Sequence, residues 1–255
     1  MGILDGSLFS SDQVLSYAAM RDVRIYIDQP LISGDIVDLP DALVRHIGTV
    51  LRLKAGDALV LFNGLGGEFH SRIQALARRS GAVSIGEHNP VSRESGLHTR
   101  LVQALGKGDR TEWALRKAVE LGVTEIVPLI TERTQVKISE QKNDQRQRRW
   151  QGLIVAACEQ SGRTRLPLLR PVATFEQWTN GQQSGKRLIL DPRASQPLTL
   201  GRGVKEVELL VGPEGGFSSE EYALASSRGY LPAKLGPRIL RTETAPLAAL
   251  ALLQF

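Results

Sequence analysis

The stretch LLVGPEGGFSSEE, residues 209–221, carries an apolar run into glycine, proline, glutamate and two more glycines, then into two serines and two glutamates. A strand that opens into a glycine-rich loop and re-enters a helix can set bare peptide N–H and C=O groups against a ligand, because glycine has no Cβ to hold it away. Ser218 and Glu221 have the spacing of a capping box, which predicts a helix start near residue 219 and a rigid floor for the loop. Two other apolar runs end in a similar manner, LILDPR (188–193) and AKLGPRILRTET (233–244). Ligands of open α/β sheets lie beyond the carboxyl ends of the strands, so three such ends point to one site. It is not a phosphate cradle. No Lys-Ser or Lys-Thr follows the last glycine, G-x-G-x-x-G is absent, and Glu214 disfavours an approaching phosphate. The loop suits a neutral or cationic nucleoside-like ligand read through backbone hydrogen bonds, with a merely structural strand–turn–helix as the alternative.

The elements that must position these loops alternate. LHTRLVQAL, EIVPLI, KRLIL, VELLV and PAKLG read as strands. TEWALRKAVELG (ending at Gly122), NDQRQRRWQGLIVAACEQSG and a capped TFEQW read as helices. Strands alternating with helices imply a mostly parallel, helix-covered sheet. The polar stretch EHNPVSRESG (87–96) separates this half from a different one. From Val23 to about Gly86, VRIYI, ALVLF, EFHSRIQAL and AVSIG are short and β-rich, the third alternating Phe69, Ser71, Ile73, Ala75. One helix, DALVRHIGTVLR, interrupts them with Asp41 placed to cap it. Short strands plus one helix suggest a small barrel.

Composition narrows the setting. The chain has 255 residues, 42% hydrophobic and 23% charged, which fits one large or two modest globular domains. No apolar run is long enough for a membrane span, and APLAALALLQF reads as a buried helix. Residues 1–19 lack a basic start and carry Asp5 and Asp12, which argues against a secretory signal. Met20 is the expected natural start, with 1–19 an extension or cloning remnant. A single cysteine, Cys158, excludes an internal disulfide and fits a reducing cytoplasm. The four histidines show no paired ligand spacing, so no metal is expected. Residues 1–96 carry nine Lys/Arg against eleven Asp/Glu, whereas the remainder carries 23 against 16. The basic second half points to a polyanionic partner.

The motifs VGPEGGFS, LGPRILRTETA, KAVELGV and ACEQSGR, with RIYI and HIGTVLRLKAGD in the first half, occur together. Over about residues 20–255 the chain thereby resembles the small-subunit ribosomal RNA methyltransferase E family. These are SPOUT-class enzymes that methylate N3 of a uridine in 16S rRNA with S-adenosylmethionine. The resemblance implies an α/β protein with an N-terminal PUA-like β-barrel (20–90) for RNA recognition. It implies a C-terminal methyltransferase domain (95–255) whose backbone forms a deep trefoil knot. It further implies a cytoplasmic homodimer acting on 16S rRNA in the small subunit, without membrane or metal.

Carried over by motif, the donor pocket comprises Leu190, Leu210, Gly212, Pro213, Gly215, Leu235, Gly236, Ile239, Leu240 and Thr242, with Glu214 either touching a ligand or fixing the loop. A neutral imide N3–H is a poor nucleophile, so the reaction needs a base or a cation that favours the imide anion. Glu243 is the candidate base, and Arg241 and Arg163 are the candidate cations. Glu159, Gln160 and Arg163 leave a helix end where a flipped base would be read. Mutual pairing of Arg241 and Glu243 is the structural alternative. RNA is expected on Lys107, Arg110, Arg133, Lys137, Gln160 and Arg165. Ribose 2′-O-methylation, or RNA binding by a non-catalytic assembly factor, are the competing functions.

Overall fold

The computed structural model describes residues 23–135, 140–181 and 184–254. The expected extension 1–19 and Lys137 lie outside these residues. The chain divides into two compact units, one ending at Ser92 and one beginning at Arg93.

The first unit is built on a five-stranded sheet: β1 (Arg24–Tyr26), β2 (Ile36–Asp38), β3 (Ala58–Phe62), β4 (Glu68–Leu76) and β5 (Gly81–Asn89), in the order β1-β3-β4-β5-β2. Only β1 and β3 run parallel. Ile25, Leu61, Ile73 and Val83 from the strands and Ile47 from the helix meet in its core. The alternation expected along β4 holds through Phe69, Ser71 and Ile73. A register shift then intervenes and leaves Ala75 exposed, because an extra residue reverses the faces. Asp41 does not cap α1 (Asp41–Arg45): the cap position is Pro40, with no side-chain bond. Asp41 instead lies in the first turn, where its charge complements the helix dipole. The helix widens into a π turn over His46–Val50.

The second unit holds a sheet in the order β12-β10-β11-β6-β7-β8, with the short β9 (Ala173–Thr174) also beside β7. Its strands are β6 (His98–Ala104), β7 (Glu125–Ile130), β8 (Leu168–Leu169), β10 (Lys186–Leu190), β11 (Glu206–Val211) and β12 (Leu231–Ala233). Every pairing is parallel. The central strands are buried along nearly their whole length, as a sheet covered on both faces requires. On one face Val102, Val127, Ile189 and Leu210 pack with Phe175 of α4 (Phe175–Asn180) and Ala225 of α5 (Ser219–Ser227). Elsewhere α2 (Arg110–Glu120) packs with α3 (Glu140–Ser161) and α6 (Ala245–Gln254), and α6 reaches β6 and β11.

The strand expected over PAKLG ends early, at Ala233. Lys234 still bridges Pro197, and Gly236 then turns the chain with φ 84°, a conformation that disfavours any side chain. Residues 234–244 form a strap that leads from the edge strand β12 back to α6 at the middle of the sheet.

Candidate active site

The carboxyl ends of β10 and β11 and the strap after β12 enclose a cavity of about 570 Å³. Three of the loops around it are tied to the GPEGG loop by specific bonds. At the loop's exit, the capping box forms as expected: Ser218 N–H donates to Glu221 Oε2 at 3.0 Å and Ser218 Oγ accepts from Glu221 N–H at 3.3 Å. Glu221 has a second task, since its Oε1 accepts from Glu132 N–H at 2.8 Å and so holds the turn after β7. Arg133 in that turn donates to the Gly215 carbonyl at 2.9 Å. Glu214 Oε1 accepts from Lys107 N–H at 3.2 Å and from Arg110 Nη1 at 2.5 Å, which secures the loop after β6. Thr242 of the strap donates its hydroxyl to the Gly212 carbonyl at 2.6 Å and accepts from Gln103 Nε2, on β6, at 3.2 Å.

Gly212 matters for space rather than conformation. A Cβ there would stand 3.1 Å from the Phe217 ring, which itself packs on Phe175 at 5.6 Å between centroids. The ring forms a wall of the cavity, and a side chain at 212 would need the ring to give way by a few tenths of an ångström.

The electrostatics follow from these ties. Burial raises the Glu214 pKa, but its own backbone N–H, that of Lys107 and the Arg110 guanidinium outweigh it, and the net shift is downward. Across the cavity Asp191 accepts from Arg193 through both side-chain and backbone N–H groups, at 2.8–3.1 Å. Burial works against the Asp191 carboxylate, yet the bonds from Arg193, its charge and the Tyr222 hydroxyl bring the pKa below the usual range. Tyr222 is raised, by burial first and then by the charge and hydrogen bond of Asp191.

Of the residues expected around a donor, Leu190, Gly212, Pro213, Glu214, Gly215, Leu235, Ile239, Leu240 and Thr242 line this cavity, together with Arg241 and Glu243. Ile239 is 83% exposed, a large apolar side chain at the cavity mouth. Arg110 and Arg133, expected on RNA, line it too. Two others do not. Leu210 is fully buried in the sheet core, because it sits one residue short of the strand end. Gly236 shapes the turn behind the lining residues.

Arg163 is placed differently from the cation expected of it. It is 4% exposed, donates to Glu94 at 2.5 and 3.0 Å, and gives Nη1 to the carbonyls of Val119 and Val123. It thus clamps the end of α3 to the turn after α2 and is not directed at the cavity. Glu159, Gln160 and Arg165 flank it, and none of them lines the cavity, because α3 ends elsewhere on the unit. Lys107 is exposed and enters the site only through its backbone N–H. The Arg241–Glu243 pairing, the structural alternative, does not form; among the described residues Arg110 Nε is the cation nearest Glu243, at 3.9 Å.

Sequence reading did not assign Asp191, Arg193, Phe217, Tyr222 or Arg238, all of which line the cavity. The D-x-R spacing in LDPR was the available signal for the first two. Among the described residues no group of three or more His, Cys, Asp or Glu could hold a metal ion, and no helix is long and apolar enough to cross a membrane.

Residues 93–254 match the RNA methyltransferase domain family, and residues 39–85 match the RNA methyltransferase PUA domain family. Fold and site together are therefore those of an RNA methyltransferase with a PUA domain. Over 95% of this chain and 78% of the relative, the sequence is 35% identical to ribosomal RNA small subunit methyltransferase E of Synechocystis sp.. It is 30% identical to the protein of that name from Buchnera aphidicola, over 91% of this chain and 92% of the relative. The chain belongs to the ribosomal RNA small subunit methyltransferase E family. Among solved structures, the Neisseria gonorrhoeae member bound to S-adenosylmethionine is 36% identical with a TM-score of 0.86, over 92% of this chain and 97% of that one. A Legionella pneumophila protein solved with bound S-adenosylmethionine is 41% identical with a TM-score of 0.85, at the same coverage.

Proposed function

We propose that this chain methylates N3 of a uridine in 16S rRNA of the small ribosomal subunit, using S-adenosylmethionine, as a cytoplasmic homodimer. The observation that carries the reading is the cavity itself, where strand ends and a strap converge on bare backbone beside apolar and charged walls. Its volume suits a ligand of nucleoside size. Gly212, Pro213 and Gly215 offer peptide groups, and Leu190, Leu235, Ile239 and Leu240 offer apolar cover for an adenine. S-adenosylmethionine, once bound, supplies a methyl group activated by positively charged sulfur. The chain's part is to hold that group, to exclude water, and to bring the base within reach of a proton acceptor.

Arg110, Arg133, Arg193, Arg238 and Arg241 line the cavity and attract the RNA backbone, which makes binding salt-sensitive. Lys137, Gln160 and Arg165 are further RNA contacts in this reading. Residues 20–90 serve RNA recognition and 95–255 catalysis. The strap's return from β12 to the sheet centre supports a knotted backbone. Exposed Trp113 and Leu252, on the contacting helices α2 and α6, supply apolar surface of the kind a dimer covers.

The test uses small subunits from cells lacking this protein, incubated with it and S-adenosylmethionine, with nuclease digestion and mass spectrometry of the product. N3-methyluridine is the expected product. A 2′-O-methylated nucleoside would move the chemistry to the ribose. No product, together with no heat on titrating S-adenosylmethionine, would leave a non-catalytic RNA-binding factor.

A further inference from the structure

Two features of the cavity wall near α2 have no part in the donor binding proposed above. Glu243 lines the cavity, yet its Oε2 is buried and accepts no hydrogen bond among the described residues. Beside it, Arg110 is held by Glu214 through Nη1 at 2.5 Å, while its Nε stays 3.9 Å from Glu243 Oε1, beyond hydrogen-bond range. The wall therefore sets a carboxylate whose side chain is 15% exposed next to a guanidinium with donors that no described residue takes. Arg241 is less suited to this role: its side chain is exposed and no partner fixes it among the described residues, so ordering it on a ligand costs conformational entropy. Arg110 is already oriented by Glu214, and preoriented charge is what stabilises a developing anion.

An adjacent acceptor and donor match one edge of uracil, where N3–H donates and the O4 carbonyl accepts. Cytosine reverses both: its N3 is a lone pair and its exocyclic N4 a donor. Set against Glu243 and Arg110, cytosine would put lone pair against carboxylate and amino group against guanidinium. A site built around such polar groups rejects the mismatched ligand strongly, because its own groups are left unpaired.

We propose that Arg110 and Glu243 form the pair that reads the uracil imide edge, rejects cytosine, and promotes loss of the N3 proton. The proposal rests on the uridine-N3 reading above. The N3 proton passes to a Glu243 oxygen, the electron pair left on N3 forms the bond to methyl, and the C–S pair returns to the donor sulfur. Glu243 then releases its proton to water. Arg110 holds the negative charge that spreads from N3 onto the carbonyl oxygen. Other charged groups lining the cavity are Asp191, Arg133, Arg193, Arg238 and Arg241.

The experiment first identifies the nucleoside that the wild-type protein makes on subunits from cells lacking it. A product other than N3-methyluridine removes the reading on which the pair rests. With N3-methyluridine confirmed and its position mapped, single-turnover rates are measured from pH 6 to 10 for wild type, Arg110→Gln, Arg110→Lys and Glu243→Gln. Binding to subunits carrying uridine or cytidine at that position is measured with S-adenosylhomocysteine present. Melting temperature and S-adenosylmethionine titration identify any variant that has lost its fold.

Arg110→Gln should slow transfer about 100-fold at neutral pH. Its rate should recover about tenfold per pH unit into the alkaline range, while Arg110→Lys keeps the wild-type profile. Glu243→Gln should slow transfer by about 100-fold or more, and bring the uridine-to-cytidine affinity ratio from roughly tenfold towards one. Arg110→Gln with a wild-type pH profile, or Glu243→Gln with the ratio unchanged, would overturn the pair while leaving the uridine-N3 reading intact.

Discussion

The two ends of the second unit's parallel sheet treat charge in opposite ways. Toward the amino ends of β11, β6 and β7, Glu208, Arg100 and Glu125 stand in register on adjacent strands. Arg100 donates to Glu125 at 2.9 Å and to Glu208 at 3.1 Å, Arg170 donates to Glu125 at 2.6 Å, and Trp178 and the Tyr230 hydroxyl both donate to Glu208. The carboxylates, the least exposed of these charged groups, each have at least two donors. At the opposite end, Gln103 Oε1 and Glu243 Oε2 are buried without a partner among the described residues. A buried polar network that closes on itself is structural, whereas unpaired acceptors near a cavity are free to take a donor from water or a ligand. The difference separates what holds this unit together from what it acts with.

The contrast breaks most visibly at the closed end. Arg100→Met should cost about 3–5 kcal/mol, because Glu208 and Glu125 stay buried with a cation removed. At about 2–4 °C per kcal/mol the melting temperature should fall by roughly 10 °C or more. S-adenosylmethionine affinity, measured by calorimetry well below the transition, should stay near wild type. A stable Arg100→Met protein with weakened donor binding would mean that the two ends are not separate in function. Gly212→Val should do the reverse. Its side chain must displace the Phe217 ring, an overpacking of about 1–3 kcal/mol, and the distorted loop should raise the donor Kd by up to about 100-fold.

Local features of both ends were legible in the sequence, and long-range partners were not. The capping box at Ser218 and Glu221 could be read because both bonds lie within one turn. The second bond of Glu221, to Glu132, spans 89 residues and leaves no local mark. Arg163 illustrates the cost: after a helix it resembles a free cation, and only the fold brings Glu94 from 69 residues upstream to pair with it. The strand ends that carry the cavity were visible from apolar runs stopping at Gly212 and near Gly236. That β6 lies at the centre, between β7 and β11, was not, since parallel pairing leaves no adjacent-strand signature. The Arg110–Glu214 tie joins two separate loops and was equally hidden.

Gln103→Leu sharpens the comparison at the open end. It removes two neutral hydrogen bonds, to Thr242 and to the Ala104 carbonyl, each worth about 0.5–1.5 kcal/mol, but also removes an acceptor that has no partner among the described residues. Melting temperature should therefore fall by only a few degrees, about 2–4 °C per kcal/mol. The Thr242 hold on the Gly212 carbonyl should loosen, raising the donor Kd by up to about tenfold in calorimetry. A large loss of stability without a change in donor affinity would mean that Gln103 belongs to the structural end after all.

The smallest effect is expected from acid. Burial would raise the Glu125 pKa, but the bonds and charges of Arg170 and Arg100 bring it below the usual carboxylate range, as Arg193 does for Asp191. A depressed folded-state pKa adds stability that is fully present above the unfolded value, near 4, and is lost as pH falls through the folded one. Melting temperature should accordingly be flat from pH 7 to about 5 and fall only below about 4. In Arg100→Met this acid limb should become shallower, because Glu125 keeps only Arg170 and the more distant His98, at 3.7 Å, and has less to lose on protonation. In Arg193→Ala it should barely change: the Arg193 side chain is 80% exposed, so solvent screens the interaction. Equal flattening in both variants would show that Asp191 is held as firmly as Glu125, and that the cavity end is less open than its unpartnered oxygens indicate.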